Sequence, residues 1–181
     1  MKIITGKYKG RIIEGYDLEG TRPTMDRVKE SLFAMIQNKI PNSIVLDLFS
    51  GSGNLGFEAL SEGASYAYLV DSNRKAIEVE KKNIKNIGIL NVECLWMDYK
   101  KALFYLGDHN LKMDLIFLDP PYQTNYIEES IKIIEKIDLL KDDGLIVCET
   151  DLLDKIKIGS NYKTVKEKKY GDKYIVIIQK I

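Results

Sequence analysis

Four consecutive residues, Asp119-Pro120-Pro121-Tyr122, follow the apolar run Leu115-Ile116-Phe117-Leu118 and combine an acid, two prolines and an aromatic ring. Proline has no N–H and a fixed φ, so this turn presents carbonyl acceptors in set positions with few competing donors. Such a turn is suited to a planar amino group. An exocyclic NH2 of a nucleobase would donate one hydrogen to the Asp119 carboxylate and the other to the Pro120 carbonyl. Its nitrogen lone pair would then face an electrophile while the base stacks on Tyr122. Prolines also end strands for purely local reasons, because the residue before each is driven away from helix. All four residues together at the end of a buried-type strand favour the receptor over the simple stop.

An electrophile needs its own site, and Asp47-Leu48-Phe49-Ser50-Gly51-Ser52-Gly53-Asn54-Leu55-Gly56 supplies a candidate at the end of the first core strand. Gly51, Gly53 and Gly56 fit G-x-G-x-x-G, and Asp71 lies at the spacing of a ribose-binding acid, which together would fit NAD or FAD. Asp47 argues otherwise. A carboxylate projecting into the cleft beside the glycine turn favours an ammonium and repels a pyrophosphate. S-adenosylmethionine fits both features, since it offers a ribose to Asp71 and carries an ammonium and a sulfonium where a dinucleotide carries phosphates. Ser50 provides the small residue the turn needs. Asp98, ending the third strand, either receives the adenine amino group, with Trp96 or Met97 flanking the ring, or caps the helix after it.

These sites need a scaffold, and the pattern of apolar runs describes one. Runs over 43–48, 66–70, 92–97, 114–118 and 145–149 are near-continuously apolar, as expected for parallel strands covered on both faces. Helical spacing occupies 55–60, 74–86, 100–106 and 126–137 between them. The alternation predicts a Rossmann-like, doubly wound, mostly parallel sheet of α/β class. Two further strands, 162–170 and 173–180, flank Gly171-Asp172 and add an antiparallel C-terminal hairpin, giving seven strands in all. Ahead of the core, 2–5 and 11–15 form a small hairpin around 6–10, and a helix over 25–38 begins after the cap Thr24. Residues 1–181 are expected to form a single domain, with 1–40 as an extension of a core over 41–181.

Composition narrows the function classes. The chain has 181 residues, is 45% hydrophobic and 30% charged, and has a formal net charge of +0. That neutral sum is unevenly spread. Residues 1–40 hold eight basic and five acidic residues, 41–159 thirteen and twenty, and 160–181 six and two. Basic ends on an acidic core point to a polyanionic partner. Cys94 and Cys148 sit in apolar runs without metal-ligand spacing, so buried thiols are expected and no metal. His109 lies in a polar loop, which leaves histidine acid–base chemistry without a candidate. No signal-peptide core or membrane-length apolar run is visible, so a cytoplasmic protein is expected.

Lys7-Tyr8-Lys9-Gly10-Arg11, Thr21-Arg22-Pro23-Thr24 and Asp26-Arg27-Val28-Lys29-Glu30-Ser31-Leu32-Phe33 precede the glycine turn, and Tyr170-Gly171-Asp172 follows Asp119-Pro120-Pro121-Tyr122. In this order the motifs resemble the RsmD family of bacterial 16S rRNA guanine-N2 methyltransferases across essentially the whole chain. Ser50 and Tyr122 depart from the alanine and phenylalanine that many relatives carry, and both keep the chemistry possible. The resemblance implies S-adenosylmethionine as cofactor, held by Asp47, Ser50, Gly51, Gly53, Asp71 and Asp98, with catalysis by Asp119, Pro120, Pro121 and Tyr122. Lys7, Lys9, Arg11, Arg22, Thr24 and Arg27 are the expected RNA contacts. Ribosomal RNA, free or within the small subunit, is the implied partner of a monomer. Adenine-N6 methylation of RNA or DNA and a non-catalytic RNA-binding scaffold are the alternatives; glutamine methylation is disfavoured, because those enzymes present Asn where Asp119 stands.

Overall fold

The computed structural model describes residues 1–15 and 26–181. Five apolar runs form parallel strands: β1 (Ile44–Asp47), β2 (Tyr66–Asp71), β3 (Val92–Trp96), β4 (Met113–Leu118) and β5 (Leu140–Thr150). β6 (Tyr162–Tyr170) and β7 (Lys173–Lys180) complete a seven-stranded sheet of order β3-β2-β1-β4-β5-β7-β6, with β7 antiparallel to both of its neighbours. This is the expected doubly wound sheet with its antiparallel hairpin. The strand order reverses between β1 and β4, and in such sheets ligands bind beyond the carboxyl ends of the strands at that reversal. Asp47 ends β1, and Asp119 directly follows β4.

Helices cover both faces. Leu115 and Phe117 of β4 enter a core shared with α1 (Asp26–Ile36) and α2 (Asn54–Ser61), where the Phe33 and Phe117 rings lie 5.7 Å apart. Ile116 and Leu118 alternate into the opposite core, against α4 (Tyr99–Asp108) and α5 (Tyr126–Lys136). α3 (Arg74–Ile87) follows β2; Asn73 caps its start by accepting from the Lys75 N–H at 2.8 Å. No helix among the described residues is long and apolar enough to cross a membrane.

Two element boundaries, those of β5 and α1, differ from the sequence pattern. β5 begins at Leu140 and not at Leu145, because Leu140 pairs with Met113 across a register irregularity that the polar Lys141-Asp142-Asp143 stretch conceals in the sequence. The expected N-terminal hairpin is present: Lys2 bridges Ile12, the Ile3 N–H donates to the Arg11 carbonyl and the Ile13 N–H to the Met1 carbonyl, each at 2.9 Å. At the end of its first arm the Ile4 and Thr5 N–H groups donate to the Glu58 carboxylate of α2 at 2.9–3.1 Å. The helix expected over 25–38 begins at Asp26 among the described residues and ends in a 3-10 turn over Gln37–Lys39.

Glu58 also meets Lys29 of α1 at 2.7 Å, and both side chains are essentially inaccessible. The ammonium fills its three donor positions with Glu58, the Asn54 Oδ1 atom at 2.8 Å and the Lys2 carbonyl at 2.7 Å. One buried pair thus ties the N-terminal segment and α1 to α2, the helix leaving the glycine turn. Removing one partner of such a pair strands a charge and typically costs about 3–5 kcal/mol. Lys29→Met is expected to lose that much stability in urea unfolding. Adding Glu58→Gln to Lys29→Met should cost less than the sum of the single changes, whereas additive losses would mean the two groups are not coupled.

Candidate active site

The glycine turn is shaped by two local constraints. Gly53 has φ 85°, a left-handed conformation that L side chains avoid, and it is the residue from which α2 starts. Gly56 lies so close to β2 that an added Cβ would come within 2.3 Å of the Leu69 side chain. That approach lets the Gly56 N–H donate to Asp47 Oδ2 at 3.1 Å.

Asp47 does not project into the cleft as the sequence implied. Only 1% of it is exposed, because Gly56 brings the start of α2 down over the end of β1. Its Oδ1 atom is buried with no hydrogen-bond partner among the described residues. Burial, opposed by the Gly56 hydrogen bond and reinforced by Asp71, pushes its carboxyl up to about 7. An unsatisfied buried acceptor costs about 1–3 kcal/mol, and a ligand ammonium would remove that cost. The donor set therefore fits the cationic group of S-adenosylmethionine.

The other cofactor candidates surround this point. Asp71 accepts from the Gly51 N–H at 3.0 Å and the Asn73 N–H at 2.8 Å, so it braces the turn with the same carboxylate that would take ribose hydroxyls. Burial raises its carboxyl above the ordinary value. Ser50 is buried and its hydroxyl faces away from the cleft, toward the Val70 carbonyl at 2.9 Å and the Glu80 carboxyl. Glu80, fully enclosed and pushed up to about 8 by burial, is predominantly protonated at neutral pH. It can then donate to Ser50 while Ser50 donates to Val70. Asn83 of α3 adds a donation to the Ser52 carbonyl at 3.2 Å. Asp98 caps α4, with its Oδ1 accepting from the Lys100 N–H at 2.9 Å, so any adenine role would share that side chain with the cap. Trp96 pairs in register with Asp71 and is 59% exposed, with the Arg74 guanidinium 6.0 Å from its ring centre.

Across the strand reversal, the Asp119-Pro120-Pro121-Tyr122 turn starts where β4 ends. Asp119 is half-buried, Pro120 buried and Pro121 exposed. Thr124 donates to the Pro121 carbonyl at 2.9 Å, and Gln123 at φ 64° turns the chain toward α5. Tyr122 is fixed by its hydroxyl as well as its ring. It donates to Glu149 at 3.2 Å, while Lys173 pairs with Glu149 and lies 5.4 Å from the Tyr122 ring centre. Burial raises the Tyr122 phenol above its ordinary value. Burial alone would lower Lys173, but its hydrogen bond to Glu149 outweighs this and holds the ammonium above the usual lysine range. Glu149 and Lys173 were absent from the sequence-derived site. An acid ending an apolar strand, as Asp47 does, was a usable signal for Glu149; Lys173 required knowledge that β7 lies beside β5.

The expected RNA contacts Lys7, Lys9, Arg11 and Arg27 are all exposed. The first three sit on the segment that Glu58 anchors, where the Lys7 and Tyr8 N–H groups also bond Ser61 at 2.8 and 2.9 Å. Arg22 and Thr24 lie outside the described residues.

Comparison with known proteins finds relatives over nearly the whole chain. Residues 1–179 match the family model described as conserved hypothetical protein 95. The Buchnera aphidicola ribosomal RNA small subunit methyltransferase D is 35% identical over 167 residues, covering 92% of this chain and 86% of its own length. Its Escherichia coli K12 namesake is 33% identical over 172 residues, covering 94% and 85%. The solved structure of Escherichia coli yhhF superposes with a TM-score of 0.88 at 30% identity, covering 99% of this chain and 97% of that one.

Asp47 and Glu80 have folded-state values above their unfolded ones, so the native state holds more protons than the unfolded chain from about pH 4 to about pH 8. Stability of the ligand-free protein is therefore highest at the acid end of that window and falls as pH rises until the folded-state values of about 7 and 8 are passed. Asp47→Asn should flatten the fall in urea titrations between pH 5 and 8. An unchanged slope in the variant would mean that Asp47 is ionised throughout.

Proposed function

The chain belongs to the ribosomal RNA small subunit methyltransferase D family, and on that premise we propose that it methylates the exocyclic N2 amine of a guanine in small-subunit ribosomal RNA. One observation carries the reading. The amine-accepting Asp119 turn and the buried, incompletely satisfied Asp47 carboxylate stand at the carboxyl ends of the paired strands β1 and β4. An amine receptor is thereby set beside a cation receptor.

When bound, S-adenosylmethionine supplies an electrophilic methyl group: the N–C bond forms as the C–S bond breaks, and sulfur keeps the electron pair. The chain provides placement and charge. Asp47 would receive the ammonium, Asp71 the ribose, and the Gly51–Gly53 backbone would allow close approach. Asp119 would accept one guanine N–H and stabilise the positive charge that develops on nitrogen before its proton is lost to solvent. The Pro120 carbonyl would accept the other. Because an amide-like amine is a weak nucleophile, alignment is the larger contribution, and it can be worth about 7–11 kcal/mol. Extruding the base costs a few kcal/mol, of which stacking on Tyr122 returns about 1–3. Glu149 and Lys173 would keep that ring in place. Guanine, as opposed to adenine, is supported by the resemblance to the guanine-N2 family, since the turn accepts either amine.

Small-subunit RNA from a strain lacking this modification, incubated with the protein and labelled cofactor, is expected to yield N2-methylguanosine on digestion. N6-methyladenosine, or no labelled nucleoside, would contradict the reading. Asp119→Asn should lower turnover by about 100-fold or more with cofactor affinity unchanged. Tyr122→Ala should raise the RNA KM more than Tyr122→Phe, which keeps the ring and loses only the Glu149 hydrogen bond; equal effects would assign the role to the hydroxyl.

A further inference from the structure

We infer that the outer strand β6 is a second RNA-contacting surface, a rail for the phosphate backbone leading away from the catalytic turn. This rests on the RNA methyltransferase reading and adds to the N-terminal contacts a surface on the opposite end of the chain. Residues 163–169 of β6 are all exposed, and they hold Lys163, Lys166, Lys168 and Lys169 against the single acid Glu167. Edge lysines commonly serve to block pairing with another sheet. A register irregularity between Thr164 and Lys166 already disturbs that edge, so four lysines exceed what protection requires.

Position supports a ligand role. β6 runs antiparallel to β7, so its Lys168–Tyr170 end lies at the catalytic edge of the sheet, where Tyr170 pairs with Lys173. Lys173 in turn contacts Glu149 and the Tyr122 ring. Two strand spacings, about 10 Å, separate β6 from β5, within the span of an RNA strand whose target base is extruded at Asp119. The rail also joins the expected N-terminal contacts. Lys168 donates to Ser31 of α1 at 3.2 Å, and Ser31 lies one helical turn after the exposed Arg27 on the same helix face. Ser31 bonds the Tyr170 hydroxyl too, fixing α1 to the strand end. The result is a continuous basic line from Arg27 through Lys168 to Lys166. Lys169, over the Tyr174 ring at 5.4 Å, broadens it on the other face of the sheet. RNA phosphate is the ligand whose repeated single charges match such a line.

The test is a salt titration of binding to a transcript of small-subunit ribosomal RNA. Each lost phosphate contact lowers the slope of log K against log salt by about 0.7–0.9, so the triple variant Lys166→Gln, Lys168→Gln, Lys169→Gln should lower it by about 2 to 3. The corresponding arginine variant should keep the slope. A control triple, Lys81→Gln, Lys85→Gln and Lys136→Gln, removes the same charge elsewhere and should also keep it. An unchanged slope in the β6 glutamine variant, or an equal loss in the control, overturns the inference. The slope is read without turnover, so a failure of the methylation reading would show in the nucleoside products of the unsubstituted protein and not in this titration.

Discussion

Three carboxyl groups, Asp47, Asp71 and Glu80, share the low-dielectric space behind the glycine turn, and each is held above its ordinary ionisation range by burial. Asp71 raises Asp47, and both raise Glu80, so their negative charges cannot all form there without cost. The protein answers each acid differently. Glu80 is neutral and bonded to Ser50 through one oxygen, Asp71 is wrapped in backbone N–H groups, and Asp47 is bonded to the Gly56 N–H; the second oxygens of Glu80 and Asp47 are both buried and unpartnered among the described residues. Under the proposed function, the cofactor ammonium goes to that Asp47 oxygen.

Such a site needs a rigid backing, and the Lys29–Glu58 pair supplies it on the other side of α2. Glu58 gathers Lys29 and the Ile4 and Thr5 N–H groups, and Lys29 reaches Asn54 at the first turn of the helix. Asn83 adds a second tie: it bonds the Ser52 carbonyl in the glycine turn and both the N–H and the carbonyl of Glu14. The segment expected to contact RNA and the turn expected to contact cofactor are thus fastened to the same side chains. A shift in one would be felt by the other.

Much of this was legible in the sequence. Parallel strands buried on both faces leave continuous apolar runs, and Asp119-Pro120-Pro121-Tyr122 falls directly after the strand where the sequence placed it. What was hidden involves long-range pairing. Glu58 and Lys29 look like solvated helix charges, yet both are buried, and Glu58 accepts from the N–H groups that end the hairpin's first arm. Lys29 was counted in the basic N-terminal balance, although its charge is internally matched. Glu149 and Lys173 become neighbours of Tyr122 only because β7 lies against β5. Asp47 reads as an open carboxylate until Gly56 is seen to bring α2 over it.

The central claim is that the buried Asp47 carboxylate awaits a cation, and proton release on ligand binding tests it directly. S-adenosylhomocysteine carries the ammonium without the reactive methyl, and calorimetry in buffers of different ionisation enthalpy counts protons exchanged. With Asp47 titrating at about 7 in the free protein, binding at pH 7 should release about half a proton, and Asp47→Asn should abolish most of that release. Binding with no proton release, or with uptake, would contradict the account.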